Sequence, residues 1–143
     1  MDKVQQILKD NNFRNTKLRH AVLSLLLRSG QSLSHQELSK QIRISFDRVS
    51  LFRTLTSFEE AGIIHKIMDL NGIANYAYSQ KNKTESLECQ THFICLNCDM
   101  IICLDETFHV ERIKVPNGFQ KSQIDVKVKG LCDQCNLKSI INN

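Results

Sequence analysis

The sequence predicts an α+β chain: a winged helix over residues 1–80, a linker over 81–91, and a small α/β unit over 92–143 that carries a four-cysteine zinc site. Three observations predict it. Stretches with apolar residues every three or four positions are followed by two strand-like runs around Asn71-Gly72, the element order of a winged helix. The composition then turns polar and aperiodic from Gln80 to Gln90. Finally, Cys95-Leu96-Asn97-Cys98 and Cys132-Asp133-Gln134-Cys135 repeat one spacing at a distance.

Taken in order, Val4, Ile7 and Leu8 make a short apolar stripe that ends near Asn11-Asn12. A second helix opens after Thr16, with Leu18, Ala21, Val22, Leu25 and Leu26 on one face, and stops at Ser29-Gly30. Ser32 or Ser34 caps a third, with Leu38 and Ile42 buried and Glu37 in the first turn, where the helix dipole favours negative charge. A fourth runs from about Asp47 to Ala61-Gly62. Ile63 to Ile67 and Asn75 to Tyr78 read as the two strands of a hairpin turning at Asn71-Gly72. Beyond the linker come an apolar run from Met100 to Leu104, a short helix near Glu106 to Ile113, a break at Pro116-Asn117-Gly118, and a strand in which Ile124, Val126 and Val128 alternate with Asp125, Lys127 and Lys129.

The fourth helix carries the first candidate chemistry. At 100° per residue Leu51, Leu55 and Phe58 fall on one side, and Ser50, Arg53 and Ser57 on the other. A core face backed by small hydroxyls and a cation, preceded by Arg48, suits a helix that enters the major groove of DNA: small residues permit close approach, and arginine serves phosphates or a guanine edge. An ordinary solvated face has the same composition. Charge leans the same way: residues 1–80 hold 11 Lys and Arg against 7 Asp and Glu, whereas 81–143 hold 8 of each. So small an excess points mildly to a polyanion.

The cysteine pairs carry the second. A C-x-x-C turn brings two sulfurs to one side, about 2.3 Å from a shared ion, and two matched pairs make the tetrahedral thiolate set of a closed, structural Zn²⁺. Disulfides or a redox-active dithiol are the alternatives, but redox chemistry needs one pair and not two. Met1-Asp2-Lys3 leads into polar residues and no apolar run approaches membrane-spanning length, so a cytoplasmic protein is expected. In that reducing compartment six cysteines favour metal over disulfides. The C-terminal unit spans only about fifty residues, so zinc and self-association would both support its core. No Ser/His/Asp set, phosphate-cradling glycine loop or paired-carboxylate arrangement is present, and no enzymatic activity is expected.

This order of motifs, with His92-Phe93-Ile94-Cys95 leading into the first cysteine pair, resembles the ferric-uptake-regulator family over nearly the whole chain. Arg14-Asn15-Thr16-Lys17-Leu18-Arg19 looks like the start of the family's second helix, and Ser50-Leu51-Phe52-Arg53-Thr54-Leu55 with Phe58-Glu59-Glu60-Ala61-Gly62 like its recognition helix and turn. Phe52 stands where the family usually has a base-contacting tyrosine. The resemblance implies a homodimeric transcriptional regulator, a repressor in the usual case. Its DNA-binding domain reads a palindromic operator through Arg14, Thr16, Arg19, Arg48, Ser50, Phe52 and Arg53, and its dimerisation domain holds structural zinc on Cys95, Cys98, Cys132 and Cys135. A second divalent metal between the domains would set DNA affinity.

At that regulatory site the sequence departs from the family. The usual histidine-rich tract is replaced by Glu88-Cys89-Gln90-Thr91-His92; the acidic ligand of the second wing strand falls at Ala77, and the histidine before the third helix at Ser32. The remaining candidates are His65, Cys89, His92 and Cys103, with His109 as an outside candidate. Such a sulfur-rich set suits Zn²⁺ or another soft ion better than Fe²⁺. The other readings are that Cys103 is a small buried hydrophobe, that His65 only ends a wing strand, and that the protein no longer senses metal.

Overall fold

In the computed structural model, which describes residues 1–79, 88–104 and 113–141, local signals set most element ends. Helix α1, Lys3–Asp10, begins with a reciprocal capping box: Asp2 accepts from the Gln5 backbone N–H at 2.7 Å, and the Gln5 side chain accepts from the Asp2 N–H at 3.1 Å. Helix α2, Lys17–Ser29, is capped by Thr16, whose hydroxyl accepts from the Arg19 N–H, and it ends at Gly30, whose φ of +66° is a left-handed conformation cheap only for glycine. Ser34 caps α3, His35–Gln41, by accepting from Glu37 N–H. Asp47 caps α4, Arg48–Glu60, by accepting from Ser50 N–H at 2.6 Å.

These helices bury one continuous core. Val22, Leu23 and Leu26 of α2 pack with Leu38, with Leu51, Leu55 and Phe58 of α4, and with Val4 and Leu8 of α1. Against it lies a sheet ordered β1-β3-β2, formed by Leu33–Ser34, Ala74–Tyr78 and Ile64–Met68, antiparallel throughout. The two-residue strand β1 has no period of its own and was not expected. The wing also turns differently from the expected two-residue hairpin at Asn71-Gly72. Met68 pairs with Ala74, leaving a five-residue loop in which Asp69 accepts from the N–H groups of Asn71 and Ile73, and Gly72 takes φ +77°. The carboxylate of Asp69, rather than Asn71-Gly72 alone, organises the turn.

The chain divides into two units, Met1–Ser79 and Gln80–Asn143. In the second, β4 (Glu88–Cys95) is the middle strand, flanked by β5 (Ile101–Cys103), antiparallel to it, and by β6 (Gln123–Gly130), parallel to it over eight residue pairs. The linker expected over 81–91 is therefore too long, because residues 88–91 already pair with Gln123 to Val126. Their composition is polar, and a parallel partner thirty-five residues away leaves no local trace. Helix α5, Asp133–Ile141, was also not foreseen; it begins inside the second cysteine pair. The helix expected near Glu106 to Ile113, and His109 with it, falls outside the described residues apart from Ile113 itself. Among the described residues no helix is long and apolar enough to cross a membrane.

Candidate nucleic-acid interface and metal centre

On α4, Leu51, Thr54, Leu55 and Phe58 are buried, which fixes the outward face. That face differs by a fraction of a turn from the sequence wheel. Its centre is Val49, Phe52, Arg53 and Thr56, all exposed, while Ser50 and Ser57 are half-buried at its margins. The cause is Thr54. Its hydroxyl donates to the Ser50 carbonyl at 2.8 Å, so it spends its polarity on the helix and joins the core side. Val49 and Phe52, 57% and 59% exposed, form an apolar pair one turn apart between the exposed guanidinium groups of Arg48 and Arg53. A lone valine among polar neighbours looks like core in the sequence, yet Val49 faces outward.

The segment before α2 approaches the start of α4. Thr16, Lys17, Asp47 and Ser50 line one shallow groove, so two helix N-termini border it. Arg14 is exposed on this segment. Arg19 is less so: its guanidinium donates to the Arg14 carbonyl at 3.0 Å and lies 5.1 Å from the centre of the Phe13 ring. Backbone and side-chain hydrogen bonds from Ser50 hold the Asp47 carboxyl below its ordinary value.

In the second unit, parallel pairing builds the metal centre. Strands β4 and β6 end at the same edge, where Cys95 pairs with Gly130, so the turns that follow each strand meet. The sulfurs of Cys95, Cys98, Cys132 and Cys135 all lie within 4.8 Å of one another, and Cys98 Sγ is 3.7 Å from Cys132 Sγ. A tetrahedral ion with Zn–S bonds of about 2.3 Å requires sulfurs about 3.8 Å apart. The donor set therefore fits zinc in both number and size. The Phe93 side chain packs against the site, and a Cβ on Gly130 would stand 3.3 Å from its ring, a tight contact.

Polar hydrogens already point at the sulfurs. The N–H groups of Cys98 and Cys132 donate to Cys95 Sγ at 3.5 and 3.4 Å, and the Asn97 amide donates to Cys135 Sγ at 3.3 Å. Those two backbone N–H groups pull the Cys95 thiol down to about 6. At Cys98 the Met100 N–H favours the thiolate, but the neighbouring Cys95 sulfur and desolvation prevail and push it up to about 12. At Cys135 the Asn97 amide favours the thiolate, but the Cys132 sulfur and desolvation win and raise it. Four thiolates this close repel one another, and a divalent cation among them removes that repulsion. Asn97 was not foreseen as a participant, since a residue between two cysteines reads as spacer.

The four regulatory candidates are placed unequally. His92 of β4 pairs in register with Cys103 of β5, and their donor atoms lie within 4.8 Å. His92 is 3% exposed and Cys103 is exposed, so the reading of Cys103 as a buried hydrophobe is corrected: it faces outward where β5 is the edge strand. In the first unit His65, on β2, has Nδ1 3.0 Å from Ser79 Oγ. Cys89 lies on β4 opposite Ile124. Ser32 and Ala77, at positions where the family's ligands were sought, are 5% and 6% exposed.

A family model for ferric uptake regulators matches residues 10–129. The chain belongs to the ferric uptake regulator family. Family membership makes it a metal-responsive transcriptional regulator. The ferric uptake regulation protein of Helicobacter pylori is 28% identical over 141 residues, spanning 94% of this chain and 90% of that protein. The structure of the H. pylori ferric uptake regulator, described as having three functional metal-binding sites, superposes with a TM-score of 0.61 at 24% identity, covering 94% of this chain and 89% of that one. A zinc uptake regulator complexed with zinc and DNA superposes more closely, with a TM-score of 0.69 at 19% identity, covering 95% and 92%. At those identities the superpositions establish the ferric uptake regulator fold alone.

Proposed function

We propose that this ferric uptake regulator family member is a homodimeric repressor whose first unit, the winged helix, binds palindromic operator DNA and whose second unit forms the dimer around a structural zinc. The outward face of α4 carries the reading. An exposed apolar pair flanked by two exposed arginines, on a helix whose other side is core, suits a groove lined by phosphates and base edges. Arg53 takes a guanine edge or phosphate, Arg48 and Ser50 take phosphates at the helix start, and Phe52 and Val49 meet thymine methyl groups. Arg14 and Thr16 extend the contact along the backbone. Operator selection on the purified dimer, with and without chelator, tests the whole reading.

Zinc on Cys95, Cys98, Cys132 and Cys135 supplies a fixed cross-link between the ends of β4 and β6 and no open coordination position. The alternative, a dithiol that cycles with a disulfide, is separated by alkylation: thiolates held by zinc resist it, and a free redox pair reacts. For regulation we take His92 and Cys103 as a ligand pair for a second Zn²⁺, since imidazole and thiolate on paired strands select a borderline-soft ion. A second zinc equivalent, weaker than the first and abolished in Cys103→Ala, is expected to tighten operator binding. His65→Ala and Cys89→Ala in the same titration decide whether those residues complete the coordination. One zinc only, with operator affinity indifferent to chelator, would overturn the regulatory reading.

A further inference from the structure

The sequence groups Arg19 with the DNA contacts, yet its guanidinium is engaged within the protein. Nη1 donates to the Arg14 carbonyl at 3.0 Å, closing the loop between α1 and α2, and the planar group lies over the Phe13 ring at 5.1 Å. Phe13 in turn meets Phe58 edge to face, with centroids 5.4 Å apart at 86°, and Phe58 is fully buried on the inner side of α4. The Phe13 N–H also donates to the Leu8 carbonyl at 2.8 Å, and Asn12 before it takes a left-handed φ of +62°, so the loop leaves α1 along a defined path. An unbroken series of contacts thus runs from the Arg14 main chain through Arg19 and Phe13 to the core face of the helix that presents Arg53.

We infer that Arg19 is a positioning residue: it holds the 13–16 segment in register with α4 so that Arg14, and not Arg19 itself, meets the nucleic acid. The inference rests on the DNA-binding reading above. A fork of N–H donors that is also a flat cation suits this task, because one part bonds the carbonyl while the face stacks on the ring. Lysine offers the charge without the plane. An arginine contacting phosphate directly would keep much of its effect as lysine, whereas a stacked strut would not.

The test is a double-mutant cycle on operator affinity measured across a salt series with the full-length, zinc-loaded dimer. Arg14→Ala keeps the carbonyl that Arg19 binds and removes the presented charge. Arg19→Gln and Arg19→Lys are each expected to weaken binding about tenfold, the scale of one charge-assisted contact. Each should also lower the salt slope by about one, as Arg14→Ala does. In the Arg14→Ala background both are expected to do nothing further to affinity or slope. Additive losses, or full rescue by lysine, would show Arg19 to be a phosphate contact and overturn the inference. An equal loss in both backgrounds with a lowered melting temperature would show a general folding role and overturn it as well. If Arg53→Ala leaves binding intact, the DNA-binding reading itself fails, and that outcome is distinct from either result at Arg19.

Discussion

If α4 reads DNA as proposed, Phe52 sets recognition without altering the fold. Phe52 is 59% exposed and Val49 57%. Phenylalanine cannot donate a hydrogen bond, so discrimination at this position has to come from apolar contact, and the thymine methyl is the apolar feature of the major groove. Replacing contacted thymines by uracil in a selected operator should therefore weaken binding of the wild type severalfold, and Phe52→Ala should erase the difference between the two operators. Arg53→Ala is expected to weaken specific binding by about 1–3 kcal/mol, the scale of a lost bidentate base contact, with zinc content and melting temperature unchanged. Competition binding at matched salt measures both. The two sides of α4 are legible in the sequence only in part. Leu51, Leu55 and Phe58 announced the buried side, while Thr54 entered it by bonding Ser50, an alternative that a polar/apolar wheel does not represent.

Among the elements, those with local signals were read well and those with distant partners were not. Thr16, Ser34 and Asp47 each cap a helix because a side-chain oxygen meets an N–H three residues on, which sequence spacing states directly. Strand β1 and the first half of β4 exist only because β3 and β6 lie beside them, and nothing in their own residues says so. Ser34 serves both kinds of element, pairing with Asn75 as well as capping α3. Ser34→Ala is expected to cost about 1 kcal/mol, seen as a drop of several degrees in the melting of the first unit. The caps also carry a pH signature. Asp47 has a carboxyl held below its ordinary value of 3.8 by Ser50, and Asp2 one held below it by the Gln5 backbone N–H and then by His20 at 2.9 Å. A depressed folded-state value means that the stabilisation is complete above pH of about 4 and fades as the pH falls through the folded value. Asp47→Asn keeps an N-cap oxygen without a titrating group. Its melting temperature should match the wild type at pH 7 and decline less steeply below pH 4, and an identical acid limb would remove Asp47 from the account.

At the scale of the whole molecule, the zinc centre converts a sheet edge into a staple. The spacing of the cysteines was plain in the sequence, and so was the ion they suit; what the spacing withheld was that β4 and β6 run parallel, so that Cys95 and Gly130 finish side by side and both cysteine turns emerge together. Among the described residues of this sheet the fully buried aliphatic side chains are Ile94 and Ile101, a small core that a cross-link would help to close. Removing one ligand should therefore do more than lower affinity for the metal. Cys132→Ser leaves three thiolates in the cluster and deletes both the Cys98 contact and the sulfur nearest the β6 end, so the second unit is expected to lose zinc, melt separately from the first and fail to dimerise. Acid should do the same without mutation. Zinc competes with protons for the sulfurs, so protonation of the cysteine ligands releases the ion. Zinc per chain and sedimentation should fall together as pH is lowered, and operator binding should follow because a palindrome needs two heads. Chelation at neutral pH should reproduce the sequence of events. A Cys132→Ser protein that remains dimeric with one tightly held zinc per chain would mean that the four cysteines do not staple the sheet, and the dimer would have to rest on other contacts.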